Sequence, residues 1–158
     1  MNSYVEVIKK YIVFKGRARR KEYWPFILIN AVISGIFRFV DTNLFKVQSL
    51  GILSILYNLF IFLPLSSVCI RRLHDIGKSG MLYWIYLVIT SITSLLILVI
   101  SFGYLFRDFT IIALIISVIF LIIICTWFFI LMIKDSQPGE NKYGPNPKEV
   151  STINNTSE

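Results

Sequence analysis

The stretch Arg71-Arg-Leu-His-Asp-Ile-Gly-Lys-Ser-Gly80 holds the side chains best suited to chemistry. His74 is the only histidine in the chain, and Asp75 follows it directly. An imidazole beside a carboxylate suggests general acid–base work. Adjacent residues on a regular helix do not face each other, however, so the two cannot serve one substrate together. Gly77-Lys78-Ser79 looks like the end of a phosphate-binding loop. That loop needs a preceding strand and a glycine at position 72, where the chain has Arg72. Gly-Lys-Ser-Gly also looks like the serine motif of intramembrane proteases, but there the histidine base comes from a different helix. A metal phosphohydrolase would need further histidine ligands. Cys69 and Cys125 have no Cys or His neighbour at ligand spacing. They read as reduced, buried thiols. The expectation is a protein that is not an enzyme and that uses neither metal nor cofactor. An enzyme acting on lipid would have only His74 and Asp75 as acid–base groups.

What remains is cationic chemistry. Arg17, Arg19, Arg20 and Lys21 form one cluster, and Arg71, Arg72 and Lys78 another. Guanidinium groups bind phosphate and carboxylate bidentately. A surface of Arg17, Arg19, Arg20, Arg71, Arg72 and Lys78, trimmed by Glu22, Asp75 and Asp135, would suit an anionic lipid headgroup or an acidic patch on a protein partner. Tyr143 lies in a third polar segment, Lys134–Pro147, rich in the turn signals Pro138-Gly139, Tyr143-Gly144-Pro145 and Asn146-Pro147. A large ring held among turn residues suggests docking. The expected ligand-binding set is therefore Arg17, Arg19, Arg20, Arg71, Arg72, Asp75, Lys78 and Tyr143.

The elements that must position these residues are apolar. Four long stretches, Tyr23–Val40, Leu50–Ile70, Met81–Phe106 and Thr110–Ile133, dominate the 158 residues. A helix of about 20 apolar residues crosses a bilayer core. Hydrophobic residues are 56% of the chain and its mean hydropathy is +0.71, too apolar for an ordinary soluble domain. Ile111–Met132 carries no charge and no polar stripe, as a helix in lipid can. The fold class is all-α: an integral membrane four-helix bundle. Pro25 is expected in the first turn of the first span. Pro64 is expected to kink the second and free the carbonyl near Phe60. Ser66, Ser67, Thr90, Ser91, Thr93 and Ser94 suit close approach of the second and third spans. Arg38 and Asp41 are placed to pair at the outer boundary.

Of the 16 Lys and Arg, only Arg38, Lys46 and Arg107 fall on the side opposite the termini. The positive-inside rule then places both termini and the loop at 71–80 in the cytoplasm. The first 22 residues lack the apolar core of a cleavable signal peptide, so the first span should act as its own insertion signal. Tyr4, Val5, Ile8, Tyr11 and Ile12 recur at helical spacing and predict a short interfacial amphipathic helix. The domain reading is 1–22 basic N-terminal segment, 23–133 transmembrane domain, 134–150 turn-rich segment and 151–158 disordered tail. The net charge of +7 suits anionic lipid heads at least as well as nucleic acid, and no nucleic-acid partner is expected.

The motifs Phe14…Gly16-Arg17…Arg20…Glu22-Tyr23-Trp24, Arg71-Arg72-Leu73-His74-Asp75…Gly77-Lys78-Ser79-Gly80 and Pro138-Gly139…Asn141-Lys142-Tyr143-Gly144-Pro145-Asn146-Pro147 occur in this order. Together the chain resembles the bacterial inner-membrane family called domain of unknown function 805, over about residues 10–147. The family usually has Trp directly after the Ser-Gly, whereas here Met81 and Leu82 precede Trp84. The resemblance implies a four-helix plasma-membrane protein, gives no reaction, and suggests that the three segments form one site. The expected partners are membrane lipids, an acidic protein or a second copy of the chain. The alternative is a small channel or transporter whose cytoplasmic charges pair with one another as a structural cap.

Overall fold

The computed structural model describes residues 3–46, 51–102 and 107–149. Five helices follow in order: α1 (Ser3–Lys9), α2 (Arg20–Asn43), α3 (Ile52–Asp75), α4 (Met81–Phe102) and α5 (Arg107–Ile133). Among the described residues there is no strand, only an isolated bridge between Asn141 and Gly144. α2 to α5 supply the four spans long and apolar enough to cross a membrane. They run up and down. Asp41 meets Ser54, Ser66 meets Tyr83, and Tyr86 stacks on Phe128. α3 is the central element and packs against each of the other helices.

The interior is concentrated at one end of the bundle, the end that carries residues 10–19, the α3–α4 turn and the segment after α5. Phe26, Val68, Arg71, Arg72, Leu73, Asp75 and Met132 are fully buried there. Along the rest of the helices Leu28, Val32, Leu56, Val88, Ile119 and Ile122 face outward. Only 6% of the most apolar window of α4 is buried. Such a belt would aggregate in water, and hydrocarbon accepts it.

Both ends of the charged helices differ from the sequence expectation. α2 starts at Arg20 rather than Tyr23, so Pro25 sits in its second turn, where it leaves the Lys21 carbonyl without an i+4 donor. Glu22 stabilises the early start, because its Oε1 accepts the Arg19 N–H at 3.3 Å. α3 runs on to Asp75, so Arg71–Asp75 form its last turns instead of a loop. Cations there favour the carbonyl end of the helix dipole. The helix then stops in a Schellman motif: Lys78 N–H donates to Leu73 at 2.9 Å and Gly77 N–H to His74 at 3.0 Å. Gly77 has φ +74, and a Cβ there would lie 2.3 Å from Gln137 Oε1. Ser79 Oγ accepts the Met81 N–H at 3.3 Å just before α4.

The N-terminal helix is shorter than expected and packs on the bundle. Val7 is fully buried and Tyr4 stacks on Phe26 with centroids 5.3 Å apart. Tyr11 Oη donates to the Phe60 carbonyl at 2.5 Å, which is the carbonyl that Pro64 leaves without a donor. Ser67 Oγ bridges the carbonyls of Lys10 and Val13 at 3.0 and 2.6 Å. It therefore fastens the N-terminal segment, while Ser66 reaches α4 through Tyr83 at 3.1 Å. Thr90 and Thr93 bond back to their own helix. Asp41 caps α3, taking the Leu53 and Ser54 N–H groups at 3.3 and 2.9 Å and the Ser54 hydroxyl at 2.6 Å. Cys69 is buried, whereas Cys125 is exposed on the helix surface. The expectations for Leu50, for residues 103–106 and for the tail Ser151–Glu158 lie outside the described residues.

Candidate functional site

The three polar segments meet at Asp75. Its Oδ1 pairs with Arg17 Nε at 3.0 Å. Its Oδ2 takes Arg72 Nη1 at 2.5 Å and the Ser136 hydroxyl at 2.6 Å. All three charged side chains are almost fully buried, at 0–1% exposure. Arg17 comes from the loop before α2, Asp75 and Arg72 from the end of α3, and Ser136 from the segment after α5.

Two guanidinium groups against one carboxylate leave an excess positive charge. Backbone carbonyls absorb it. Arg17 donates to Gln137, Gly139 and Gly144 at 2.5, 2.8 and 3.3 Å and to Asp75's own carbonyl at 3.3 Å. Arg72 donates to Met132 at 3.2 Å and to Lys134, carbonyls at and just past the negative end of α5. Gln137 N–H closes the ring onto the Asp75 carbonyl at 2.8 Å. Planar, always-charged guanidinium forks are the groups that can satisfy so many acceptors at once.

Arg71 points elsewhere. It is buried, and its Nη1 lies 3.6 Å from Glu22 Oε2, an ion pair longer than a hydrogen bond. Its carbonyl receives the Ala18 N–H at 3.0 Å. His74 faces yet another side. Its ring stacks on Tyr143, centroids 3.7 Å apart and 7° from parallel. Its Nδ1 lies 3.1 Å from the Gly16 carbonyl. A carbonyl only accepts, so Nδ1 carries a proton. Lys142 Nζ sits 5.0 Å from the Tyr143 ring centre.

The remaining predicted arginines line a cleft. Arg19, Arg20, Lys21 and Lys148 surround Asp135 in a space of about 380 Å³. Arg20 pairs with Asp135 at 3.3 Å and donates to the Lys134 carbonyl at 3.1 Å. Lys148 also bonds Asp135, and that contact holds its carboxyl below the usual carboxylate range. Glu149 is held low by the Gly139 N–H and by Asn146.

The eight predicted ligand residues thus divide. Arg17, Arg72 and Asp75 form the buried junction, and Arg71 is buried beside Glu22. Arg19 and Arg20 line the basic cleft. Lys78 is exposed on the α3–α4 turn, and Tyr143 covers His74. Sequence reasoning missed Ser136, Gln137 and Asn141, whose Nδ2 donates to the His74 carbonyl at 3.0 Å, and it missed Lys148. Their signal was their place in the turn-rich third segment, which marks the segment without singling out the residue. Among the described residues no group of His, Cys, Asp and Glu is placed to hold a metal ion.

The chain is similar to "Inner membrane protein YhaH" of Escherichia coli K12, at 34% identity over 152 residues, 94% of this chain and 98% of that protein. It is also similar to "Inner membrane protein YhaI" of the same strain, at 49% identity over 80 residues, 51% of this chain and 66% of that protein. No solved structure matches. The family described as "Protein of unknown function (DUF805)" matches residues 11–145, which include Arg17, Arg72, Asp75 and Ser136 of the buried junction. The chain is therefore a DUF805 family member, an inner-membrane protein built on four apolar helices.

Proposed function

We propose that this is a non-catalytic inner-membrane protein that binds an anionic lipid headgroup in the cleft of Arg19, Arg20, Lys21 and Lys148, with the basic end of the bundle in the cytoplasm. The observation that carries the reading is the charge of that cleft, whose lining is four cations and one carboxylate, Asp135. The space of about 380 Å³ falls within the range of about 300–1,000 Å³ for small-ligand sites. The deeper arginines are a different layer. The donors of Arg17 and Arg72 are taken by Asp75 and by backbone carbonyls, so these two hold the segments together rather than meet a ligand. Saturation of both Asp75 oxygens also supports a binding role over acid–base chemistry at that residue. The excess of Lys and Arg at this end supports the cytoplasmic placement.

Two experiments test these statements. A fluorescent protein that matures only in the cytoplasm, fused after Glu158, is expected to glow; activity of a phosphatase that works only outside would reverse the orientation. Native mass spectrometry of protein extracted in mild detergent is expected to show retained phosphatidylglycerol. Each cation near an anionic membrane surface contributes about 1 kcal/mol. Arg20→Ala with Lys21→Ala should therefore cut retention roughly thirtyfold, while Lys78→Ala, outside the cleft, leaves it unchanged. Equal retention in all three proteins would sink the headgroup reading.

A further inference from the structure

We propose that the basic cleft continues into a groove within the membrane that takes one acyl chain of the same lipid, so that the seam between α2 and α5 is a single site for an anionic phospholipid. The inference rests on the headgroup reading above and extends it to the hydrocarbon.

The seam exists because of how the helices pair. α2 packs chiefly on α3, and α5 chiefly on α4. α2 and α5 are tied at two heights. At the basic end, Arg20 reaches the Lys134 carbonyl at 3.1 Å and Asp135 at 3.3 Å. One turn further in, Trp24 meets Phe129 edge-on, centroids 5.5 Å apart. Around this contact lies a groove of about 410 Å³, lined by Trp24 and Ile27 of α2, Cys69 of α3, Tyr86 of α4 and Cys125 and Phe129 of α5. Arg20, Trp24 and Ile27 share one stripe of α2; Cys125, Phe129 and Met132 share one stripe of α5. Arg20 on the first stripe also lines the cleft, and Asp135 of the cleft follows Met132 by three residues.

The order of chemistry along the seam is that of a lipid. Cations stand at the end of the bundle, an aromatic pair comes next, and apolar walls follow inside. A free phosphate or a soluble anion would use the cleft and leave the groove unmatched. Cys125 is exposed, so the groove opens sideways to the surrounding hydrocarbon, where an acyl chain can enter without crossing a polar barrier.

The test uses bromine on the acyl chain as a contact quencher. The full chain carrying Trp84→Phe and Trp127→Phe keeps Trp24 as its sole tryptophan, since the sequence has three. It is placed in nanodiscs of unlabelled phosphatidylcholine with a small fixed fraction of brominated phosphatidylglycerol or brominated phosphatidylcholine. The expected result is several-fold stronger quenching of Trp24 by the anionic lipid. Equal quenching by the two lipids overturns the groove. If phosphatidylglycerol is still retained in the mass spectrum, the headgroup reading survives; if it is not, both fall together. Cys125→Trp, which fills the groove from its exposed edge, gives a second reading. It is expected to lower phosphatidylglycerol retention several-fold, and unchanged retention counts against the groove.

Discussion

Asp75→Ala is expected to cost about 3–5 kcal/mol of stability, because it leaves Arg17 and Arg72 buried without their counter-charge. Asp75 is fully buried and accepts from Arg17, Arg72 and Ser136. Coulomb attraction in a dry interior does little more than offset the desolvation of the charges, so the intact cluster adds little net stability. Removing one partner is a different event. The remaining guanidinium groups then carry the desolvation cost with only carbonyl dipoles to offset it. The measurement is unfolding of the purified protein in mixed micelles with increasing denaturing detergent. Lys78→Ala serves as the reference, since Lys78 is exposed and a surface change usually stays within about 0.5 kcal/mol. A loss as small as that of Lys78→Ala would show that the cluster does not hold this end together. Replacing both arginines by Met in the Asp75→Ala background should recover part of the loss, because no unpaired charge remains.

Arg17→Lys is expected to release the segment after α5 while leaving the charge in place. Arg17 donates to the Gln137, Gly139 and Gly144 carbonyls as well as to Asp75. An ammonium is a point charge with three donors and cannot reproduce that planar fork. Loss of two such bonds, at about 1.5 kcal/mol or more each, lowers the local opening free energy of the segment by about 3 kcal/mol. Trypsin cleavage after Lys142 should then run roughly a hundredfold faster, if opening is rapid relative to cleavage. Cleavage at the native rate would mean that Tyr143, stacked on His74, and Asn141 hold the segment without help from Arg17.

The apolar helices were legible because their structure is local. A helix in lipid satisfies its backbone within its own segment, so about 20 apolar residues suffice to place one. Glu22 was read as trimming the basic surface, and it accepts the Arg19 N–H at the start of α2 and lies beside Arg71. The carbonyl freed by Pro64 was legible as well, but not its donor. Tyr11 is 49 positions away, and only the packing of the N-terminal segment on α3 brings them together.

The site divided along the same line. Composition and order determined that three polar segments gather at one end and that this end is basic. They did not determine which arginine is a strut and which lines a cleft. Arg17, Arg19 and Arg20 read alike in sequence. Arg17 is buried because the fold sets it opposite Asp75, 58 positions later, and within reach of carbonyls more than a hundred positions away. Arg20 faces the seam because α2 begins one residue before Lys21 and the end of α5 lies beside it. The extension of α3 through Arg71–Asp75 was hidden for the same cause. Charged residues at the edge of an apolar run look like a loop until each has a partner, and the partners come from chain segments that only tertiary packing assembles. Helix formation draws on neighbours in sequence, whereas burying a charge depends on which distant groups surround it.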